Sequence, residues 1–352
     1  MNEKTDLMRL FPEELAQYAE EAGERRFRGR QLFSWIHEKR AASFSEMTDL
    51  SAAFRSALGE KAFLPALTEE RVLISEIDGS MKFLFRLPDG NLIETMMMKY
   101  RYGNSVCVST QVGCRMGCAF CASTIGGLVR SLDASEILGE VYAVERITGE
   151  KVNHVVLMGS GEPFDNYGEV VRFLKLISIP GGKNLSLRNV TLSTSGIPDA
   201  IRRFAGENMP VTLALSLHAS NDETRKRLMP IARKYPLSDV LSACDFYFEK
   251  TGRRVTYEYS VVGNVNDRES DANELARLLA GRNAHVNLIP VNPVAEKTFE
   301  RPDRNKMTAF QNILEKNAIH ATIRREIGLD IDGACGQLRY KAANDRTGVS
   351  KP

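Results

Sequence analysis

From Val106 onward, the sequence alternates between short apolar runs typical of buried strands and longer runs with the apolar spacing of helices. After a first strand at 106–112, the predicted strands lie near 154–158, 189–193, 211–217, 255–261 and 285–290. The predicted helices lie near 134–148, 167–177, 197–204, 237–250, 268–281 and 304–317. Repeated strand–helix units form parallel sheets. Six such units predict an α/β fold with a partial, open (β/α)6 barrel, whose active site lies at the carboxyl ends of the strands.

The residues before Val106 follow a different pattern. Residues 1–65 contain short amphipathic stretches that begin near Pro12, Gly29 and Ser51, which predicts a small helical domain. Residues 66–103 alternate apolar and polar positions around the turn sequence Pro-Asp-Gly-Asn at 88–91, which predicts a short β-hairpin linker. We therefore expect a helical domain at 1–65, a β-hairpin linker at 66–103, the α/β core at 104–343 and a flexible tail at 344–352.

Three cysteines, Cys114, Cys118 and Cys121, lie within eight residues directly after the first predicted strand. A structural zinc site normally has a fourth Cys or His nearby, and the next candidate, His154, is far along the chain inside an apolar run. Three thiolates can instead hold three irons of a [4Fe–4S] cluster and leave the fourth iron open to another ligand. A zinc knuckle or three core cysteines are the alternatives, but the packing of free cysteines does not produce this spacing.

Composition restricts the class of protein. The chain has 352 residues, of which 43% are hydrophobic, and it contains no low-complexity run, so we expect about two globular domains. No apolar run approaches the roughly 20 residues of a membrane span, and the start Met-Asn-Glu-Lys lacks a signal-peptide pattern. Because the cysteines are also mostly clustered, we expect a cytoplasmic protein with no membrane partner.

Charge leaves the question of a nucleic-acid partner to local patches. The net charge of +2, from 47 basic and 45 acidic residues, neither requires nor excludes such a partner. The densest basic run comprises Arg25, Arg26, Arg28 and Arg30 around Phe27. Arginines with an aromatic residue among them can grip phosphates. A solvated charged face beside the glutamates at 20, 21 and 24 is the alternative.

The cysteine spacing, with an aromatic residue directly before Cys121, resembles the radical S-adenosylmethionine (SAM) superfamily. That resemblance implies a [4Fe–4S] cluster with SAM at its open iron. Gly161 and Glu162 fit such a site, because a glycine lets the backbone approach the amino-acid end of SAM and a carboxylate accepts hydrogen bonds from its ammonium. A tight turn is the alternative for this glycine-rich loop.

Further polar residues follow the later predicted strands. Ser193, the run Ser216-Leu217-His218 and Asn292 offer hydroxyl, backbone or amide partners to the ribose and adenine of SAM. A histidine with a purely structural role is the alternative for His218.

Several segments, taken with the cysteine motif, resemble the RlmN/Cfr family of radical SAM RNA methyltransferases, and specifically its RlmN branch. In chain order they are MGSGEP, LSTSG, SLHA, RLMPI, NLIPVNP and DIDGACGQLR, and FRGRQLFSWI near the N-terminus resembles the family's leader. The resemblance implies an enzyme that uses SAM to methylate C2 of an adenine in the peptidyl-transferase region of 23S rRNA, and the adenine 3′ of the anticodon in some tRNAs. It also implies one [4Fe–4S] cluster, two SAM molecules per turnover and an electron donor such as flavodoxin or ferredoxin.

The same resemblance implies roles for Cys335, Cys107 and Glu94. Adenine C2 is an electron-poor carbon that cannot attack the methyl group of SAM, so a radical must form first. In the family's scheme, Cys335 receives a methyl group from one SAM, a radical from the second SAM takes a hydrogen atom from it, and the resulting carbon radical joins C2. Cys107 matches the thiol that then forms a disulfide with Cys335, and Glu94 matches the proton acceptor.

Each of these residues has a structural alternative. Cys107 alternates with valines on a predicted strand, which favours core packing when the resemblance is set aside. Glu94 on a β-hairpin is ordinarily a surface carboxylate. Cys335 lies in a polar, glycine-flanked loop, which fits a reactive thiol better than a core position, whereas Cys244 is predicted to be a buried helix residue. The family commonly has alanine where this chain has Gly333, a change that removes no reactive group.

Two other functions fit parts of the sequence. The Cfr branch methylates C8 of the same rRNA adenine with the same cysteines, but the segment at 324–328 and the VNPV sequence resemble the RlmN branch more closely. An iron–sulfur protein without methylation chemistry would need the cluster cysteines, but that function gives no role to Cys335 or Glu162.

Overall fold

A computed structural model describes residues 4–291 and 299–331, in which ten strands form one mixed sheet. In chain order the strands are β1 (Thr5–Asp6), β2 (Ala62–Phe63), β3 (Thr68–Ile74), β4 (Met81–Arg86), β5 (Leu92–Tyr100), β6 (Gly103–Cys107), β7 (Gln111–Gly113), β8 (Leu128–Ser131), β9 (Val152–Leu157), β10 (Val190–Thr194), β11 (Thr212–Ser216), β12 (Val255–Val261), β13 (Ala284–Pro290) and β14 (His320–Ile323). The α-helices are α1 (Pro12–Glu21), α2 (Arg28–Phe33), α3 (Ala52–Lys61), α4 (Ala134–Thr148), α5 (Tyr167–Ser178), α6 (Pro198–Gly206), α7 (Asp222–Leu228), α8 (Leu237–Thr251), α9 (Glu269–Leu279) and α10 (Arg304–Lys316).

The large sheet has the strand order β14-β13-β12-β11-β10-β9-β6-β5-β4-β3. Neighbouring strands from β6 to β14 are parallel, whereas β3, β4, β5 and β6 pair antiparallel. A helix follows β6 and each strand from β9 to β13, so the predicted partial (β/α)6 barrel is confirmed. β14 adds a further parallel strand that the apolar pattern did not predict, because most of its residues are exposed.

Local sequence signals explain why the helix boundaries were predictable. Asp133 and Glu136 cap the start of α4 reciprocally, and the Asp133 N–H donates to the Glu136 carboxylate at 3.0 Å. Gly149 ends the same helix in the left-handed conformation, with φ of +69°. The sequence DETRKRL of α7 has a single apolar residue, Leu228, so it shows no helical apolar period and was not predicted.

The segment at 66–103, predicted as a linker, is continuous with the barrel sheet. The turn at 88–91 joins β4 to β5 as expected, with Gly90 at φ of +85°. β5 then pairs along its second half with β6, the first barrel strand, and Met96 lies opposite Cys107. The unpaired backbone groups of a hairpin edge are a template for another strand, which explains why the two parts join into one sheet.

The two faces of the barrel sheet differ in chemistry. Residues paired in register share a face, and neighbours along a strand point to opposite faces. Leu157, Leu192 and Leu213 lie in register on the outer face and are buried in the apolar cluster that the helices cover. One row of the inner face is instead polar and crosses four strands: Ser216, Glu258, Asn287 and Thr322. We call this set the polar row.

The N-terminal helices dock on α4 and α5. Within this N-terminal region, Gly29 lets α2 cross close to α1, because a Cβ there would lie 2.4 Å from the backbone of Ala16. Arg172 on α5 donates two hydrogen bonds to the Glu14 carboxylate, at 2.9 and 3.1 Å. The buried His37 Nδ1 lies 3.1 Å from the Tyr142 hydroxyl of α4. The N-terminal residues share one apolar cluster with the barrel, so this region is part of the main core.

Among the helices in the described part of the chain, none has both the length and the apolar character needed to cross a bilayer.

Candidate active site

The cysteine loop follows β6 and is held by backbone hydrogen bonds on two sides. The Cys114 N–H donates to the Gly127 carbonyl at 3.0 Å, and the Ala119 N–H donates to the Leu228 carbonyl, at the end of α7, at 2.8 Å. The three predicted cluster cysteines line one cavity of about 210 Å³. The loops that follow β9, β10 and β11 contribute its other walls, so the cavity lies at the carboxyl ends of the parallel strands.

The loop after β9 places Gly161 and Glu162 in the cavity wall. Gly161 has φ of +108°, and a Cβ there would lie 2.6 Å from the Gln111 Cβ, so a larger residue does not fit. The Glu162 carboxylate is buried and accepts the N–H groups of Ser195 at 2.6 Å and Phe164 at 3.1 Å. Burial raises the pKa of Glu162, although these hydrogen bonds oppose the shift. Glu162 is therefore a fixed polar group beside the cysteines.

Ser193, Ser216 and His218 also line the cavity, and the two serine hydroxyls lie 3.4 Å apart. His218 Nδ1 accepts the Ser260 N–H at 2.9 Å, which leaves the proton of the neutral ring on Nε2. Burial, with a smaller effect of the Arg225 charge, lowers the pKa of His218 to about 3, so the ring is neutral at physiological pH. His218 is thus a histidine with satisfied structural bonds that also faces the cavity.

Leu217 lies in the apolar core and is not one of the cavity-lining residues. Its N–H donates to the Glu258 carbonyl at 3.0 Å, and its carbonyl accepts Arg225 Nε at 3.2 Å. The N–H of Leu217 therefore joins the end of β11 to β12, and its carbonyl joins it to α7.

Cys107 and Glu94 lie on the inner face of the sheet, on neighbouring strands. Cys107 pairs with Met96, and Glu94 is two residues before Met96 on the same face, so the two candidates are diagonal neighbours. Cys107 is buried in a cluster with Met158, which lines the cavity. Glu94 is also buried, with its Oε2 3.0 Å from Lys82 Nζ, so it is not the surface carboxylate expected of an ordinary hairpin.

Asn292, Gly333, Cys335 and the predicted tail at 344–352 lie outside the described residues. The segment at 324–331, which precedes Cys335, runs from β14 at one edge of the sheet to the β3–β4 turn at the other edge. Ile327 packs in the Cys107 cluster, and the Gly328 N–H donates to the Asp78 carboxylate at 2.9 Å. Three residues separate Ile331 from Cys335 in the sequence.

Comparison with known proteins decides the family. Residues 5–64 match the family model of the ribosomal RNA large subunit methyltransferase N-terminal domain, and residues 108–277 match that of the radical SAM superfamily. A curated protein of Lachnoclostridium phytofermentans, named "Probable dual-specificity RNA methyltransferase RlmN", is 52% identical over 351 residues, covering 100% of this chain and 98% of that protein. The chain belongs to the RlmN family of radical SAM RNA methyltransferases.

Two further comparisons agree with membership of the RlmN family. A protein of the same name from Clostridium perfringens strain 13 is 50% identical over 327 residues, covering 93% of this chain and 94% of that protein. The crystal structure of a radical SAM methyltransferase from Sphaerobacter thermophilus has a TM-score of 0.91 at 42% identity, covering 95% of this chain and 98% of that chain. The resemblance read from the sequence motifs is therefore confirmed over nearly the whole chain.

The RlmN family implies a [4Fe–4S] cluster and SAM, and the cysteine loop fits the cluster. Burial raises the pKa of the Cys114 thiol to about 12 and also raises the pKa of Cys118, so a thiolate at either position needs a compensating cation. No three His, Cys, Asp or Glu side chains of the described residues converge on a single metal ion. The thiolates that hold a cubane cluster bind separate irons, and Cys114, Cys118 and Cys121 line one cavity.

Glu258 is a cavity residue of this RlmN-family chain that the sequence pattern did not single out. It lies in the polar row, where Asn287 Nδ2 donates to its Oε1 at 2.9 Å. Its Oε2 is buried without a hydrogen-bond partner among the described residues, and burial raises its pKa. The available signal was a carboxylate between Tyr257 and Tyr259 on a strand predicted to be buried.

Arg225 is a second residue that the sequence pattern did not single out, because it lies in the charged sequence of α7, which predicts an exposed helix. The side chain is fully buried, and its Nη2 donates to the Ser195 carbonyl at 2.7 Å. Its guanidinium is also within electrostatic range of Cys118, and burial lowers its pKa to about 10. Arg225 therefore ties the ends of β10 and β11 together behind the cluster loop.

The basic run around Phe27 is only partly available to a ligand. Arg26 forms an ion pair with Glu20 at 3.0 Å, and Arg28 donates to the Asp49 carbonyl at 3.0 Å. Arg25 and Arg30 are exposed. The solvated-face alternative therefore accounts for Arg26, and RNA binding by this run stays a prediction.

Proposed function

We propose that the chain methylates C2 of adenine in RNA, with an adenine of 23S rRNA and the adenine 3′ of the anticodon in tRNA as substrates. The observation that carries the proposal is the position of Cys107. It packs with Met158, which lines the cavity of the cluster cysteines, and with Ile327, in the segment that leads to Cys335. The printed name of the relatives, a dual-specificity RNA methyltransferase, supports two kinds of RNA substrate.

The chain's own side chains would hold SAM in the cavity. Cys114, Cys118 and Cys121 would hold the cluster, which, once reduced by a donor of the flavodoxin or ferredoxin class, would supply the electron that cleaves SAM and so generates the radical that takes a hydrogen atom from a methyl group. Glu162 lines the cavity and would accept hydrogen bonds from the ammonium of SAM. The hydroxyls of Ser193 and Ser216 and the Nε2–H of His218, which also line it, would bind the ribose and adenine.

Cys335 and Cys107 would share the methyl transfer. Cys335 would carry the methyl carbon to adenine C2, where the adduct would give up one electron to the oxidised cluster and its C2 proton to Glu94, which restores the aromatic ring. The Cys107 thiolate then attacks the Cys335 sulfur, so that an S–S bond forms while the S–C bond breaks. The released carbon keeps the bonding electrons and takes a proton, which makes it the methyl group of the product. A thiol reductant must open the disulfide before the next turnover.

The regiochemistry is tested by liquid chromatography and mass spectrometry of nucleosides after anaerobic turnover with SAM and a reductant, with 2-methyladenosine and 8-methyladenosine as retention-time standards because the two isomers have the same mass. We expect 2-methyladenosine in both an rRNA fragment and a tRNA. 8-Methyladenosine would instead identify a Cfr-type enzyme. SAM cleavage that leaves both RNAs unmethylated would contradict the methyltransferase function.

The role of Cys107 is tested by trapping. Cys107→Ala removes the thiol that resolves the RNA link to Cys335, so we expect the purified variant to carry covalently bound RNA on denaturing gels. Cys244→Ala is the matched control, because Cys244 is equally buried but lies on α8 outside the cavity. The double variant Cys107→Ala/Cys335→Ala should carry no RNA. Normal turnover by Cys107→Ala would assign the resolving step to another group.

A further inference from the structure

The turn between β5 and β6 carries an aromatic pair that the proposed chemistry does not use. The rings of Tyr100 and Tyr102 stack with centroids 4.8 Å apart and planes 9° apart. His154 packs edge-on against Tyr102, at 5.1 Å and 86°. Tyr102 is 65% exposed, although an aromatic side chain of this size normally gains stability by burial. Stacking on Tyr100 therefore covers one part of the Tyr102 ring and leaves most of it open to solvent.

The aromatic pair is continuous with the inner face of the sheet. Tyr100 packs in the same cluster as Met98 and Cys107, and its hydroxyl lies 3.7 Å from Met98 Sδ. Arg324, which lines the cavity, is within electrostatic range of both tyrosines. A molecule stacked on Tyr102 would therefore lie next to the cluster that contains Cys107, within electrostatic range of the cavity residue Arg324.

The surroundings of the pair carry positive charge. Arg101 lies in the same turn, and Arg324 and Arg325 follow β14. The nearby acid, Asp78, already accepts the N–H groups of Gly328 and Ser80, each at 2.9 Å. Burial raises the pKa values of Tyr100 and Tyr102, so both phenols stay neutral at physiological pH and do not repel a phosphate.

We propose that Tyr102 and Arg324 form a binding site for an unpaired RNA base next to the adenine that enters the cavity. An exposed aromatic face stacks with any base, and arginines beside it contact the phosphates of the same strand. A hairpin-stabilising role explains the Tyr100–Tyr102 stack but not the 65% exposure of Tyr102 or the arginines around it. The inference rests on the proposed function, because it takes RNA as the substrate.

The test compares two labelled RNAs by fluorescence anisotropy with the cluster-loaded protein. One is a stem-loop with unpaired adenines in its loop, and the other is a blunt duplex of the same stem. We expect Tyr102→Ala to weaken stem-loop binding roughly tenfold and to leave duplex binding unchanged. Tyr102→Phe keeps the aromatic face and should bind both RNAs like the unmodified chain. Phe248→Ala, which removes an exposed aromatic ring on α8, should change neither affinity.

Other outcomes would contradict the proposal that Tyr102 and Arg324 bind an RNA base. Equal stem-loop affinity of Tyr102→Ala and the unmodified chain would exclude stacking on Tyr102, as would an equal loss of duplex binding. If Tyr102→Ala shifts the thermal midpoint, Tyr102→Leu keeps apolar contact without an aromatic face and should show the same loss. If Tyr102→Ala binds the stem-loop normally and still methylates RNA, the base-binding site is rejected but the proposed methyltransferase function is not. An unmodified chain that neither binds nor methylates RNA would reject the proposed function as well.

Discussion

At the scale of the residue, the inner face holds charges that most proteins leave in water. Lys82 and Glu94 have side chains only 2% and 7% exposed, and their charged atoms lie 3.0 Å apart. Removing each charge from water is costly, and the pair offsets this cost only while both partners are present. Lys82 lies on β4, opposite Met96 of β5, and its ammonium pairs with the Glu94 carboxylate. This ion pair allows Glu94 to be buried beside Cys107.

We expect Lys82→Met to lower the free energy of unfolding by about 3–5 kcal/mol, because it takes the lysine away from a buried carboxylate. The double variant Lys82→Met/Glu94→Leu, which removes both charges, should lose less than the single variant. Urea unfolding of the three proteins measures the difference. Equal losses in the single and double variants would show that packing, not charge pairing, stabilises this position.

At the scale of the element, α7 links the strand ends to the cluster loop. Arg225 points inward and donates to the Ser195 and Leu217 carbonyls, which follow β10 and β11. Leu228, at the end of the helix, accepts the Ala119 N–H from the cysteine loop. One short helix therefore sets the positions of three loops around the cavity.

Arg225→Lys keeps the positive charge but cannot form the same set of hydrogen bonds, because lysine lacks the forked guanidinium. We expect the free energy of unfolding to fall by about 2–4 kcal/mol, corresponding to hydrogen bonds of a charged donor. Arg227→Lys, at an exposed position of the same helix, should stay within about 0.5 kcal/mol. Urea unfolding checks both variants, and equal values would mean that Arg225 contributes charge alone.

At the scale of the whole molecule, the N-terminal helices and the barrel share one core. His37 is fully buried at their contact, and burial lowers its pKa from the usual 6.5 to about 3. The folded protein therefore excludes a proton that the unfolded chain binds below about pH 6.5. The stability due to neutral His37 is complete above pH 6.5 and is lost progressively as the pH falls toward 3.

Between pH 7.5 and 5.5, His37 should account for a decrease of about 1.4 kcal/mol in the free energy of unfolding. His37→Leu changes the absolute stability, but its decrease over this interval should be smaller by that amount. Urea unfolding at the two pH values measures each decrease. Identical decreases in the two proteins would show that His37 is protonated equally in the folded and unfolded states.

Sequence alone determined the barrel, the cysteine loop and most of the order of strands and helices, with α7 and β14 as exceptions, because apolar periodicity, capping residues and ligand spacing are all local along the chain. It also indicated Gly161 and Glu162, because the end of a parallel strand is a predictable place for a site. Only the tertiary structure placed Glu94 beside Cys107, because strand register decides which residues share a face. The same holds for Glu258 and Arg225, whose burial depends on neighbours from distant strands that no local pattern records.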